Sequence, residues 1–397
     1  MTGGFFLDNG IFYSIQVFIP YTKRLVPLQP MYLKQLSLIN FKNYTEASVL
    51  FHSKLNCFTG ANGMGKTNLL DAIYYLSFCK SCFNTVDSQS ISFEQDFFMI
   101  QGLFDNGTET DEIYCGVKRG QKKVLKRNKK EYEKLSDHIG LFPLVMISPA
   151  DTTLITGGSE QRRRFIDGII SQLDKLYLEN LVQYNHILQQ RNALLKQFYI
   201  TRSFDAISLE VWDDQLVRHG SYIHNARENF LKEFISVFEN YYKLISENNE
   251  RVKLQYVSTI NQDYKAALQT VIKKDCALEH TSVGVHRDDL DFLLNENQIK
   301  KFASQGQQKT YLLALKLAQY EFIKNKKSVK PLLLLDDIYD KLDVHRFKKL
   351  IEIVASPEFG QVFITDTHTK RIQTLFKRNN TDRKVFKVEN AEISEVD

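Results

Sequence analysis

Apolar positions along the chain change their period twice. A strand pattern opens at Met31, and the apolar run Leu55-Asn56-Cys57-Phe58 leads into a glycine-rich stretch. From Asn68 to Leu76 the period becomes helical. Val117 to Glu131 reads as two short strands with turn chemistry near Asn128-Lys129-Lys130. The middle of the chain is helical throughout. Apolar residues recur at Leu173, Leu176, Tyr177, Leu181, Tyr184, Leu188 and Leu195, then again at Trp212, Leu216, Ile223, Ala226, Phe230, Phe234, Phe238 and Tyr242. Two long helices with a short break predict an antiparallel helical lobe, and aromatics at this spacing belong to a core rather than to stacked bases. Strands then return, with Val329 to Leu335 reading as a buried strand.

The chemistry lies at the ends of these elements. Gly60-Ala61-Asn62-Gly63-Met64-Gly65-Lys66-Thr67 sits between a strand and a helix, where glycines let backbone N–H groups turn inward around phosphate. Lys66 then reaches the β/γ-phosphates of ATP and the Thr67 hydroxyl ligates Mg²⁺. Four leucines followed by Asp336 and Asp337 have the form of a Walker B strand: Asp336 belongs to the metal shell and Asp337 orients or deprotonates the attacking water. Ser304-Gln305-Gly306-Gln307-Gln308 opens an amphipathic helix and makes a second anion site.

Composition narrows the class. The 397 residues, 43% hydrophobic and 25% charged, suit a globular protein of two or so compact units. No apolar run approaches the roughly 20 residues that span a bilayer. Residues 1–30 include Ile11 to Ile19, an aromatic-rich run with no basic segment before it and no cleavage site after it; an extension or a misassigned start is expected rather than a secretory signal. Five cysteines, with Cys79-Lys80-Ser81-Cys82 as the one CxxC, point to a reducing, cytoplasmic setting and not to zinc or redox chemistry. Charge is unevenly placed. Lys118 to Lys134 carries nine basic residues against two glutamates, a net +7 within a chain of +5 overall. A basic hairpin arm of this density suits the phosphate backbone of DNA, with Lys122, Lys123, Lys126 and Arg127 as candidate contacts. Arg162-Arg163-Arg164 forms a second basic cluster.

A P-loop, a Ser-x-Gly-Gln before a helix and a Leu-Leu-Leu-Leu-Asp-Asp strand, in that order, resemble the ABC-type ATPases. The 270 residues from Lys66 to Asp336 exceed a compact transporter ATPase and fall far short of long coiled-coil arms. "LSLINFKNY", "GANGMGKTNLLDAIYYLS", "FPLVMISPADTTLITGGSEQRRRFID", "QRNALLK", "VGVHRDDL", "SQGQQKT" and "LLLLDDIYDKLD" together resemble the RecF family of recombination mediators. That resemblance implies an α/β fold, a P-loop NTPase head of ABC type with an inserted helical lobe. Residues 1–30 would be an extension, 31–150 the first part of the head with the basic arm, 151–284 the lobe, and 285–397 the second part with signature and Walker B. It also implies ATP-dependent homodimerisation on DNA, weak DNA-stimulated hydrolysis acting as a switch, a part in the SOS response, and cooperation with RecO and RecR in placing RecA at gaps. Ser304, Gly306 and Gln307 would act in trans on the partner's ATP, and Asp337 would be the hydrolytic acid. Asp340 in "YDKLD" replaces the family's usual serine, and Ala150 stands where the family often has an acid. Thr365, Asp366 or His368 would sense the γ-phosphate, with His368 preferred for its donor capacity. His286-Arg287-Asp288-Asp289 is a family hallmark whose chemistry the sequence leaves underived. The alternative from another class is an ATPase subunit coupled to a membrane transporter, which the basic run and the helical lobe oppose.

Overall fold

A computed structural model describes residues 31–246, 250–260, 263–338, 344–368 and 382–396. The expected N-terminal extension and the segment from Tyr339 to Asp343 lie outside the described residues. Strands β1 (Tyr32–Phe41) and β2 (Tyr44–Leu50) form a hairpin, and β3 (Leu55–Thr59) leads through the glycine loop into helix α1 (Lys66–Phe78). A meander of β4 (Phe97–Asp105), β5 (Thr110–Lys118), β6 (Val124–Arg127) and β7 (Lys130–Glu131) adds to β1, giving an antiparallel sheet in the order β2-β1-β4-β5-β6-β7. The other head strands, β8 (Leu144–Ile147), β12 (Leu332–Leu335), β13 (Val362–Asp366), β14 (Arg383–Glu389) and β15 (Glu392–Glu395), gather around β3. Their order is β15-β14-β3-β13-β12-β8, parallel except at the β14–β15 edge.

Alternation decides where each sheet sits. β4 exposes Phe97 and buries Phe98, Ile100, Gly102 and Phe104, so one face packs and the other meets water. β12 is four buried leucines: Leu332 and Leu334 join the core around α1, while Leu333 and Leu335 join the core on the opposite face. Helix α1 therefore fills the space between the sheets. Gly102 lets it close in, since a Cβ there would stand 2.5 Å from Leu76 Cδ1.

The lobe begins with α2 (Thr153–Thr156), α3 (Ser159–Leu173), α4 (Lys175–Thr201) and α5 (Ala206–Ile245). Asp174 caps α4 by accepting from the Tyr177 N–H, and Asp205 caps α5 from the Ile207 and Ser208 N–H groups, which sets both helix starts. Of the expected stripe, Tyr177, Tyr184, Phe230, Phe234, Phe238 and Tyr242 are core; Leu176 is exposed. After β9 (Val252–Val257), α6 (Tyr264–Thr270) and α7 (Ile272–Leu278), strand β10 (Asp289–Leu294) pairs back with β9 and with β11 (Asn297–Gln298). This small sheet crosses the 284/285 division expected from the sequence, because β9 and β10 complete each other from either side. Helices α8 (Ile299–Phe302) and α9 (Gln305–Lys327) follow, α9 packing between α5 and the parallel sheet, and α10 (Val344–Ala355) precedes β13.

The basic stretch is not a free arm, which corrects the sequence expectation. β5 pairs along its length with β4, and β6 and β7 extend that sheet to its edge. The turn falls where expected: Asn128 and Lys129 have φ of 51° and 69°, the positive pair that a tight two-residue hairpin requires.

Candidate nucleotide-binding site

Two glycines of the loop are demanded by close approach. Gly60, with φ 156°, has no room for a side chain, since a Cβ would stand 2.2 Å from the Val388 carbonyl oxygen. Gly65, with φ 114°, lies against the β1–β2 turn, where a Cβ would be 2.7 Å from Asn43 Nδ2. That turn grips the loop. Asn43 Nδ2 donates to Met64 O at 3.3 Å and the Tyr44 hydroxyl to Gly65 O at 3.1 Å. Ala61, Asn62 and Gly63 are exposed at the loop's crest. Helix α1 begins at Lys66 with no side-chain cap, so its first N–H groups and its positive dipole end are left for an anion. Lys66 is 4% exposed, and its ammonium donates to Gly60 O at 2.7 Å and Ala61 O at 2.9 Å.

The second motif meets the first through Thr67. Its hydroxyl lies 3.0 and 3.1 Å from the two carboxylate oxygens of Asp336, which stands at the carboxyl end of β12. Thr365 on β13 touches both acids: its hydroxyl donates to Asp336 Oδ1 at 2.8 Å and accepts from the Asp337 backbone N–H at 2.9 Å. Asp337 has φ 42°, a left-handed conformation that aspartate enters more readily than most side chains and that is held here by that bond. Burial raises the Asp336 carboxyl above its ordinary range, and hydrogen bonds from Thr365 and Thr67 pull it back. The sequence offered Thr365 only as an alternative γ-phosphate sensor; no periodicity marks a residue that links two neighbouring acids.

His368 is exposed, with its backbone N–H on Asp366 Oδ1 at 2.7 Å. Ser304 caps α9: its hydroxyl accepts from the Gln307 N–H at 3.2 Å while Gln307 Oε1 accepts from the Ser304 N–H at 2.7 Å. Gln307 Nε2 also donates to Glu250 Oε1 at 2.7 Å, and Gly306 faces the Arg346 guanidinium, which donates to Thr310. Among the described residues no hydrogen bond joins this signature to the P-loop of its own chain.

The His-Arg-Asp-Asp hallmark proves to be a junction. Buried Asp288 accepts from Arg227 of α5 at 2.9 Å, from Ser258 at 2.6 Å and from the Tyr256 hydroxyl, while Arg227 also holds Asp167 of α3. Asp289 takes a two-point bond from Arg162 at 2.6 and 2.9 Å, and His286 accepts from the Tyr184 hydroxyl of α4 at 2.8 Å. Three helices are thereby fixed to the start of β10.

The DNA candidates divide. Lys122 is exposed, and the Lys126 ammonium stands 5.8 Å from the Tyr114 ring centroid. Lys123, by contrast, donates to Asp87 at 2.7 Å and Cys79 O at 2.5 Å, and Arg127 makes a two-point bond to Asp111 at 2.8 and 2.9 Å. These two cations are ion-paired within the fold, which leaves Lys122 and Lys126 as the candidates of the four without an ion pair among the described residues.

A split P-loop head, with Walker strands from opposite ends of the chain on one parallel sheet and a helix-capping Ser-x-Gly-Gln, defines an ABC-type ATPase fold. The RecF/RecN/SMC N terminal domain matches residues 32–394. The chain is 50% identical over 357 residues to DNA replication and repair protein RecF of Flavobacterium johnsoniae, covering 90% of this chain and 99% of that one. Identity to the protein of the same name from Bacteroides fragilis is 49% over 373 residues, covering 92% and 99%. A solved structure of the recombination mediator protein RecF-ATPrS in the RecFOR pathway matches with a TM-score of 0.84 at 29% identity, covering 94% of this chain and all of the other. The Smc head domain of Pyrococcus furiosus shares the fold alone, at a TM-score of 0.54 and 17% identity over 92% of this chain and 96% of that one. The chain belongs to the RecF family of DNA replication and repair proteins. The transporter alternative is not supported, and no described helix is long and apolar enough to cross a membrane.

Proposed function

We propose that this chain is an ATP-switched DNA-binding protein of recombinational repair, whose hydrolysis is weak, DNA-stimulated and used as a timer. The observation that carries the reading is the Thr67–Asp336 contact, which brings the phosphate loop and the Walker B acid into one site across the whole chain. A hydroxyl and a carboxylate in contact are hard oxygen donors suited to Mg²⁺, whose other ligands would be phosphate and water. Among the described residues no cluster of three His, Cys, Asp or Glu would hold a metal alone. When bound, the ion neutralises phosphate charge. Lys66 exchanges its two carbonyl partners for β/γ-phosphate oxygens, and Asp337 orients water from a backbone pinned by Thr365. His368 is our candidate γ-phosphate sensor, although its ring stands exposed.

The exposed helix N-terminus at Ser304 supports closure in trans, so that two chains sandwich two nucleotides as a homodimer. Family membership supports cytoplasmic action with RecR, RecO and RecA, and a head of 31–150 and 285–397 around a lobe of 151–284, with the β9–β10 pairing joining the two across 284/285. ATP turnover measured without DNA and with single-stranded, duplex and gapped DNA tests the reading; a rate indifferent to all three sinks it. Mixing Lys66→Ala and Ser304→Arg chains tests the sandwich. The heterodimer has one intact composite site, so ATP-dependent pairing by light scattering should partly return, whereas a signature acting in cis would leave every combination defective.

A further inference from the structure

The open face of the antiparallel sheet carries more than a charge run. Phe97 and Lys118 are direct cross-strand partners, both exposed; four residues further along β5 on the same face, Tyr114 and Lys126, both half-buried, stand opposite each other. Directly opposite residues of an antiparallel pair project from one face, so the two aromatic–lysine pairs share that face, with the Met99–Gly116 pair separating them along the strands. Gly116 lies between them, and its missing side chain is what lets the Tyr114 ring lie along the strand: a Cβ there would be 2.8 Å from the Tyr114 hydroxyl and 3.2 Å from its ring edge. The Lys126 ammonium stands over that ring, 5.8 Å from its centroid, so cation and aromatic share this part of the face. Phe93, 91% exposed, lies on the loop that precedes β4, and Arg119 holds that loop by bonds to Asp96 O at 2.9 Å and Gln95 O at 3.2 Å. Lys118, Arg119, Lys122 and Lys126 form no ion pair among the described residues, although Glu94, Asp96 and Glu131 border the strip.

We propose that this face binds the unpaired bases of single-stranded DNA, with Phe93, Phe97 and Tyr114 stacking on bases and the interleaved cations tracking the phosphates. The proposal rests on the DNA-binding reading above and deepens it by naming the DNA form. Duplex DNA buries its base faces and offers the rings nothing, whereas every unpaired base has a π-face. The lysines serve either form, the aromatics only one.

The test uses the full chain with ATP, a gapped duplex, a single strand and an ungapped duplex of equal length. Phe97→Ala with Tyr114→Ala should weaken gapped and single-stranded DNA by roughly tenfold or more per ring, leave duplex affinity unchanged and leave the salt slope unchanged. Phe97→Leu with Tyr114→Leu keeps apolar bulk but loses the π-face and should behave like the alanine pair, which separates stacking from folding. Phe97→Trp should show fluorescence quenched by single-stranded and not by duplex DNA. Wild-type affinity for the single strand in the alanine and leucine variants overturns the proposal while leaving the DNA reading intact. An equal loss on duplex also overturns it, reducing the face to a general DNA contact. Failure of the wild-type chain to bind any of the three DNAs removes both readings.

Discussion

The two six-stranded sheets do opposite things with the same kind of strand. The parallel sheet is covered on both faces, and its candidate functional groups sit at strand ends: the phosphate loop after β3, Asp336 and Asp337 after β12, Thr365 near the end of β13. The antiparallel sheet is covered on one face, and its candidate contacts lie along the strands, at alternate residues. Ends of buried strands supply a few fixed, desolvated groups, as phosphate chemistry requires; an open face supplies area and charge, as a polymer requires. A lost hydrogen bond should therefore matter far more on the first sheet than on the second.

The largest effect expected is at Asp337. Asp337→Asn should slow hydrolysis by roughly 10²- to 10⁴-fold, the usual worth of a positioned acid or base, with ATP affinity retained; Lys66→Ala should lose affinity instead, and turnover with fluorescent-nucleotide titration separates the two. Acid should discriminate between regions next. Burial lowers His138, beneath the antiparallel sheet, and His286, in the helical junction, each to about 4. Each donates from Nε2 to a backbone carbonyl and has a tyrosine hydroxyl at Nδ1, an arrangement that neutral imidazole satisfies by accepting there. The unfolded chain binds these protons near pH 6.5, so stability is lost as pH falls from there to about 4, by up to about 3 kcal/mol per histidine. Buried Asp288 and Asp336, with raised carboxyls, act in the opposite sense. Thermal melts between pH 7 and 4 check this, and His138→Gln should flatten the acid limb.

Thr365→Val should reduce turnover about tenfold, of the order of one buried hydrogen bond lost in positioning, and Thr365→Ser should restore it; a valine variant with full turnover would detach Thr365 from the acids' function. The smallest effect belongs to the lysines of the open sheet. Lys122→Ala with Lys126→Ala should weaken all DNA forms a few-fold and lower the salt slope by roughly two, whereas Lys123→Ala with Arg127→Ala should lower the melting temperature more than the DNA affinity.

Legibility followed the range of the interactions. The P-loop, the Walker B strand, the helix-capping Ser304 and the two long helices are built from neighbours in sequence, and spacing alone exposes them. The fate of Lys123 was hidden because Asp87 lies 36 residues away and nothing in a run of lysines marks the one that folds inward. Asp288 was equally mute, since Arg227 meets it across 61 residues. The β9–β10 pairing across residues 284 and 285 is hidden for the same reason. Charge density is visible in one dimension; its neutralisation is not.

The grip of Asn43 and Tyr44 on Met64 and Gly65 ties the sheets together at one loop. On its other side the same turn is bonded to the segment before β4, Lys42 N–H to Ser90 O at 2.8 Å and Ser92 N–H to Asn40 O at 2.9 Å. A nucleotide that moves this turn moves the approach to Phe93 and Phe97. Thermodynamic linkage then allows no one-way signal: whatever factor ATP applies to the affinity for DNA, DNA must apply to the affinity for ATP. A chain resting on DNA would bind ATP with an affinity changed by that same factor, while the hydrolysis that DNA stimulates would set how long the doubly bound state lasts.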